Sequence, residues 1–219
     1  MSSVCLTGWQ QPADALADIA PNARHIDYSH MGSVDELFAA LPREPKLLVG
    51  WSLGAQLAFR AVAEGHVRPT AMLLLAPSYQ FIATPEVPVG MKREQWGGVV
   101  EHYRSDPVAM LRGFHMLVAD GDYDSTSIVR TLNRDVRVWQ QGLFWLEELG
   151  RFSCASLKPD ALPPTMIVHG RADKVTQTDQ CGAYIKRWPS VTLRLLGGCA
   201  HAPHLNDPKL LRSLVAEHV

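Results

Sequence analysis

A serine in a setting that suits nucleophilic catalysis lies in the pentapeptide GWSLG at residues 50–54. An apolar run at residues 47–49 precedes it and a helix-like stretch at residues 55–62 follows, so the pattern predicts a sharp turn between strand and helix. Glycines two residues before and after the serine allow such a turn while the hydroxyl points outward. Ser52 could instead only cap the helix, but the flanking elements favour a nucleophile.

A serine nucleophile needs a general base and a third group that orients the base. A predicted strand at residues 165–169 is followed by Gly-Arg-Ala-Asp, which places the carboxylate of Asp173 on the loop that leaves the strand. A predicted strand at residues 192–196 is followed by a loop that carries His201. The chain order serine, acid, histidine is the order of a catalytic triad built on parallel strands, so we predict the triad Ser52, Asp173 and His201.

Other residues compete for the roles of acid and base. His169 lies within a predicted strand, where a hydrogen-bonded core histidine is the more common situation, and His204 lies further from its strand. Asp179 and Asp207 fall near predicted helix starts, where a carboxylate caps the helix or interacts favourably with its dipole. The chain order therefore favours Asp173 and His201.

Acyl transfer also requires two N–H groups that stabilise the oxyanion of the tetrahedral intermediate. One follows the nucleophile directly, at Leu53, and the other is expected in the loop after the first strand, at Trp9, where Gly8 permits a close turn. The Trp9 indole is also a candidate wall of the acyl pocket, although a surface aromatic residue is the simpler alternative.

The composition restricts the class of protein. The chain has 219 residues, with 21 basic and 22 acidic side chains, so its net charge of -1 gives no reason to expect nucleic acid or an anionic membrane surface. The four cysteines have no metal-ligand or disulfide spacing, and we expect reduced thiols and no metal or cofactor. Because no leader or membrane-spanning pattern is visible, we expect a cytoplasmic protein.

Six apolar runs alternate with helical patterns, which predicts an α/β fold with a mainly parallel sheet of about six strands. The predicted strands are residues 4–7, 25–28, 47–49, 71–76, 165–169 and 192–196. The helices between them are predicted at residues 12–19, 34–40, 53–64, 179–188 and 208–218. Residues 77–163 contain no strand pattern but four amphipathic stretches, at residues 96–103, 107–118, 125–136 and 141–149. We therefore predict a core of residues 1–76 and 164–219 and a helical cap of residues 77–163.

Four short motifs resemble one branch of the α/β-hydrolases, the pimeloyl-[acyl-carrier protein] methyl ester esterases of biotin synthesis. They are Gly8-Trp9, the GWSLG pentapeptide, the Gly-Arg-Ala-Asp stretch that ends at Asp173, and Ala-His-Ala-Pro around His201. The resemblance implies an α/β-hydrolase fold, here without the usual N-terminal antiparallel hairpin. It also implies a serine carboxylesterase that hydrolyses the methyl ester of a pimeloyl chain carried on acyl carrier protein.

The same resemblance implies roles for Trp9 and for residues of the cap. The side chains expected to contact the substrate are Trp9, Phe114, Met116, Leu117 and Val118. Arg130, Arg134 and Arg137 have the spacing i, i+4 and i+7, which one helix would present on one face toward the acidic carrier. The apolar side chains could instead serve core packing, and the three arginines could form an ordinary solvated face. For the whole chain, the alternatives are a general short-chain carboxylesterase or thioesterase and a binding protein without catalysis.

Overall fold

The computed structural model describes residues 3–134, 136–157 and 162–217. Its centre is a six-stranded sheet in which every strand pairing is parallel. The strands are β1 (Val4–Leu6), β2 (Arg24–His25), β3 (Leu47–Trp51), β4 (Ala71–Leu75), β5 (Thr165–Gly170) and β6 (Val191–Leu196). Their order across the sheet is β2-β1-β3-β4-β5-β6. The predicted parallel sheet of about six strands is therefore confirmed.

The central strands are buried on both faces, which explains why they read as continuous apolar runs. Alternate side chains point into two separate apolar clusters, one on each side of the sheet. On β3, Leu48 belongs to one cluster, whereas Leu47 and Val49 belong to the other. This period of two follows from strand geometry, and it requires helices on both faces of the sheet.

Nine α-helices surround this sheet in the described part of the chain. Five cover the core: α1 (Val34–Ala40), α2 (Leu53–Ala63), α7 (Asp179–Arg187), α8 (Pro203–Asn206) and α9 (Pro208–Ala216). Four follow one another between β4 and β5: α3 (Arg93–Ser105), α4 (Pro107–Ala119), α5 (Ser125–Leu132) and α6 (Gly142–Arg151). None of these helices is long and apolar enough to cross a bilayer. The division into core and cap stays a prediction, and its residues 1–2, 135, 158–161 and 218–219 lie outside the described residues.

The prediction of a helix at residues 12–19 was wrong. This segment is a series of turns whose backbone bonds mostly join residues three apart, such as Ala15 N–H to Pro12 O and Ala17 N–H to Asp14 O. A regular α-helix needs bonds between residues four apart along its whole length. Leu16 and Ile19 nevertheless reach the core, so the apolar spacing reported burial correctly but not the backbone conformation.

The prediction that Arg130, Arg134 and Arg137 share one helix was also wrong. The helix α5 ends at Leu132, and Asn133 follows it as the C-terminal capping residue. Arg134 lies in the turn beyond the helix and Arg137 in irregular structure, although all three arginines are exposed. The Asn133 amide accepts a hydrogen bond from the buried His115 ring at 2.8 Å, a tertiary contact that residue spacing does not report.

Replacing Gly54 by alanine tests the close packing of α2 on β1. A methyl group at this position would overlap the carbonyl oxygens of Leu6 and Thr7, so we expect Gly54→Ala to lower the free energy of unfolding by about 1–3 kcal/mol. The matched control is Gly97→Ala in α3, where a methyl group meets no atom. The control should raise the free energy of unfolding by about 0.5–1 kcal/mol. Urea unfolding measures both, and equal shifts would contradict this packing.

Candidate active site

Ser52 lies on the turn between β3 and α2 in a backbone conformation that few residues other than glycine adopt, with φ 54° and ψ -119°. Such conformations cost about 1–3 kcal/mol and persist only where the surroundings enforce them. Here the Ser52 N–H donates to Leu75 O at 2.9 Å, and a methyl group at Gly50 would lie 2.5 Å from the Ala55 Cα. The strand and helix therefore meet too closely for a side chain at residue 50, and the turn presents the serine hydroxyl.

The structure brings Ser52, His201 and Asp173 into one chain of hydrogen bonds. Ser52 Oγ lies 2.8 Å from His201 Nε2, and His201 Nδ1 lies 2.7 Å from Asp173 Oδ2. Because a carboxylate only accepts, the Nδ1 of His201 carries the hydrogen, and its Nε2 is then free to accept from the serine hydroxyl. His201 and Asp173 are both buried. This arrangement can take a proton from Ser52 as its oxygen forms a bond.

The Asp173 carboxylate is held by several donors. Its Oδ1 accepts from the Val175 and Thr176 N–H groups at 2.8 and 2.9 Å, and its Oδ2 also accepts from the Thr176 hydroxyl at 2.9 Å. Burial alone would raise the pKa of this carboxyl group. The neighbouring imidazoles of His201 and His169 hold the pKa well below its usual range, so the group is ionised.

Three contacts that sequence reasoning missed fix the loop of His201. The Trp51 indole N–H donates to His201 O at 2.8 Å, so the residue beside the serine also holds the histidine loop. The His201 N–H donates to Val118 O at 3.0 Å, and the Ala200 N–H donates to Asp122 Oδ2 at the same distance. The loop is thus held by Trp51 of β3, by Val118 of α4 and by Asp122 in the turn that follows α4.

The rival residues have other surroundings. His204 packs against Trp51 with ring centroids 4.2 Å apart, and burial together with the nearby His201 lowers the pKa of His204 to about 3. It is therefore a neutral core side chain. Asp207 caps α9 by accepting from the Leu210 N–H at 2.9 Å, and Asp179 lies in the first turn of α7. His169 differs from these, because its ring contacts Asp173.

Trp9 lies in the loop after β1, and Leu53 directly follows Ser52. These are the positions at which the two oxyanion donors were predicted. Within the described residues, neither backbone N–H donates a hydrogen bond to another protein group. The Trp9 indole N–H donates to Gly142 O at 2.8 Å, and its ring lies 5.8 Å from the Phe114 ring. Trp9 is thus a buried side chain between the core and α6, not a surface aromatic residue.

A mostly apolar cavity of about 240 Å³ lies beside these loops, bounded by Trp9 and by the Lys174-Val175 stretch that follows Asp173. Other residues of its wall include Phe81, Trp96, Met110, Phe114, Leu117 and Leu146. Two predicted contacts do not belong to it. Met116 is 64% exposed and lines a neighbouring groove, and Val118 is buried in the core. The helical period explains this, because Met110, Phe114 and Leu117 share one face of α4.

No group of three or more potential metal-ligating side chains is found within residues 3–134, 136–157 and 162–217. The four cysteines, Cys5, Cys154, Cys181 and Cys199, are buried free thiols. Burial raises the pKa of Cys199 to about 12, with the nearby carboxylates adding to the effect. The thiol two residues before His201 is therefore protonated, and it is a poor nucleophile.

Comparison with known proteins places the chain in a family. Residues 4–214 match the model of the alpha/beta hydrolase family. The chain is 26% identical over 195 residues to the pimeloyl-[acyl-carrier protein] methyl ester esterase of Aromatoleum aromaticum, covering 84% of this chain and 78% of that protein. It is 26% identical to the biotin biosynthesis bifunctional protein BioHC of Cellvibrio japonicus, of which it covers only 44% while 95% of this chain is aligned.

A solved structure agrees with this family at the level of the fold. The hydrolase olei00960 of Oleispira antarctica superposes with a TM-score of 0.80 at 15% identity, covering 99% of this chain and 90% of that one. At this identity the likeness supports the fold alone. Since the family match extends over nearly all of the described sheet and helices, the chain belongs to the alpha/beta hydrolase family.

Proposed function

We propose that this chain is a serine carboxylic ester hydrolase whose nucleophile, general base and orienting acid are Ser52, His201 and Asp173. The observation that carries the proposal is the continuous hydrogen-bonded chain from the Ser52 hydroxyl through the His201 ring to a buried, ionised carboxylate. The left-handed backbone at Ser52 supports it independently, because such strain is characteristic of functional sites. The names of the curated relatives point to the same reaction class.

In the proposed reaction, Ser52 Oγ attacks the ester carbonyl carbon while its proton passes to His201 Nε2. The carbonyl oxygen becomes an oxyanion, which the free N–H groups of Trp9 and Leu53 stabilise. The imidazolium then protonates the alcohol oxygen as the ester bond breaks, leaving an acyl-serine. A water molecule, deprotonated by His201, attacks this acyl group, and Ser52 leaves with a proton. Asp173 stabilises the imidazolium and stays ionised throughout.

For the substrate, we propose a pimeloyl methyl ester carried as a thioester on acyl carrier protein, within biotin synthesis. The relatives that match over most of this chain are named for that activity. The apolar cavity beside the Asp173 loop supports the assignment, since an aliphatic chain needs an apolar wall and few polar groups. In this proposal residues 77–163 form a cap, and Trp9, Phe114 and Leu117 contact the chain.

Such a substrate contains a thioester as well as a methyl ester, and the thioester is the more reactive acyl group. Selectivity must then come from position, because only a carbonyl held about 3–3.5 Å from the serine oxygen in the right orientation reacts efficiently. A carrier held outside the cap would keep the thioester away from Ser52 while the acyl chain extends inward. The distal ester would reach the hydroxyl.

Mass spectrometry of the carrier after incubation with the enzyme tests this substrate. We expect the carrier-bound chain to lose the mass of one methylene group, because a methyl ester becomes a carboxylic acid while the thioester persists. Ser52→Ala is the control, with kcat expected to fall at least about 10³-fold since the nucleophile is absent. Release of the whole chain would instead identify a thioesterase, and unchanged turnover in folded Ser52→Ala would exclude the mechanism.

Charge reversal tests the proposal that Arg130, Arg134 and Arg137 dock the acidic carrier. The support for this docking is the exposure of all three side chains on the segment after α4. Replacing all three arginines by glutamate should raise KM for the carrier-bound ester roughly tenfold. The reason is that each exposed ion pair between an arginine and a carboxylate of the carrier contributes about 0.2–1 kcal/mol to binding. The hydrolysis of a small nitrophenyl ester should not change, and added salt should weaken the wild-type preference for the carrier.

The matched control replaces three other exposed arginines by glutamate. They lie close to the amino ends of β2, β3 and β4, at the opposite edge of the sheet from Ser52. These are Arg24, Arg43 and Arg68. The control variant should retain the wild-type KM for the carrier-bound ester. An equal rise of KM in both variants would show a general effect of net charge and would remove the docking surface from the proposal.

A further inference from the structure

A second imidazole contacts the carboxylate of the proposed triad. His169 Nε2 lies 3.0 Å from Asp173 Oδ2, the same oxygen that His201 Nδ1 approaches at 2.7 Å. The side chains of His169 and Asp173 are both 0% exposed, so water does not compete for this contact. His169 is part of β5 and Asp173 follows it by four residues, so the loop folds the acid back toward its own strand.

The position of the proton on His169 follows from its neighbours. His169 Nε2 also lies 2.7 Å from Thr176 O, and neither a carbonyl oxygen nor an ionised carboxylate can donate a hydrogen bond. The Nε2 atom therefore carries a hydrogen, which it donates to Thr176 O, and the Asp173 carboxylate lies beside the same N–H group. Its other ring nitrogen, Nδ1, is buried without a hydrogen-bond partner among the described residues.

The groups around the His169 ring also favour a hydrogen on its Nε2 atom. The titratable groups that act on it are the Asp173 carboxylate and the thiol of Cys181 on α7. Burial opposes protonation of the ring, but the influence of the Asp173 carboxylate and of Cys181 outweighs it and raises the pKa of His169 to about 10. The ring is then well suited to stabilise the ionised acid over the neutral pH range.

We propose that His169 is a positioning residue of the triad, whose Nε2–H donates to Asp173 Oδ2 and holds that oxygen toward His201. The inference rests on the proposed function, since it assigns the role through the proposed acid. The two oxygens of Asp173 are held differently, because backbone N–H groups bind Oδ1, whereas side chains of His169, Thr176 and His201 bind Oδ2. His169 is the one of these three that projects from a strand of the sheet, so it ties the acid to the rigid core.

A purely structural histidine would make a different prediction from a positioning one. Its hydrogen bond to Thr176 O would stabilise the loop, and its loss would lower stability without a specific dependence on Asp173. A positioning residue acts through the carboxylate, so its effect on kcat must vanish when that carboxylate is removed. The two roles are therefore separable by a double-mutant cycle.

The test uses His169→Phe and His169→Gln, each alone and combined with Asp173→Ala. In the otherwise wild-type enzyme we expect His169→Phe to lower kcat roughly 10- to 100-fold with little change in KM, because a misplaced catalytic group costs about that much. His169→Gln should recover most of this loss, since its amide N–H can occupy the position of Nε2. In the Asp173→Ala background neither substitution should lower kcat further.

The matched control is His115→Phe, which removes another buried imidazole. His115 lies on α4 and contacts Gln11 and Asn133 at 3.0 and 2.8 Å, away from the carboxylate. We expect His115→Phe to change kcat by the same factor in the otherwise wild-type enzyme and in the Asp173→Ala variant. The proposal is overturned if His169→Phe leaves kcat unchanged, or if its loss is equally large in the Asp173→Ala background.

A measurement on the unmodified protein covers the cases in which a variant does not fold or no ester is turned over. Nitrogen-15 NMR of labelled histidine should show His169 Nε2 protonated from about pH 5 to pH 9, coupled to a hydrogen that exchanges slowly because the ring is buried. A deprotonated Nε2 in this range would overturn the inference, whatever the substrate is. Absence of esterase activity together with a protonated Nε2 would count against the proposed function alone.

Discussion

The parallel alignment of the six strands is the constraint on which the candidate site depends. Because all strands run in the same direction, the loops that follow β1, β3, β5 and β6 leave the sheet at one edge. These loops carry Trp9, Ser52, Asp173 and His201, which are separated by up to 192 residues in the chain. Open α/β sheets place their ligand sites at this edge for the same topological reason.

The turn at Ser52 shows how packing maintains a strained backbone. The conformation of this residue is unfavourable by itself, and a free chain would relax it. Close contact between α2 and the ends of β1 and β3 prevents relaxation, because the backbone at Gly50 and Gly54 lies against neighbouring main-chain atoms. The energy that holds the serine comes from the apolar core as a whole, not from the turn.

The segment between β4 and β5 contributes several contacts to the candidate site. Val118 O and Asp122 accept hydrogen bonds from the backbone of the His201 loop, and Gly142 O accepts from the Trp9 indole. A rearrangement of this segment would therefore change the surroundings of His201 and of Trp9 together. The apolar cavity lies between Trp9, α3, α4, α6 and the loop after Asp173, so the same elements shape the cavity and support the candidate site.

The order of strands and helices could be predicted from the amino-acid sequence, since alternation of apolar runs with helical periods reports burial directly. The sequence also singled out Ser52, Asp173 and His201, because glycine spacing and the position of a polar residue after a strand are local signals. Contacts between distant segments have no such signal. Only the tertiary structure showed that Trp51 holds His201, that His169 meets Asp173, and that Met116 faces away from the cavity. In the structure, α5 ends at Leu132, and residues 12–19 form turns where a helix was expected. Both differences arise because hydrogen bonds and packing with the rest of the chain outweigh weak local preferences.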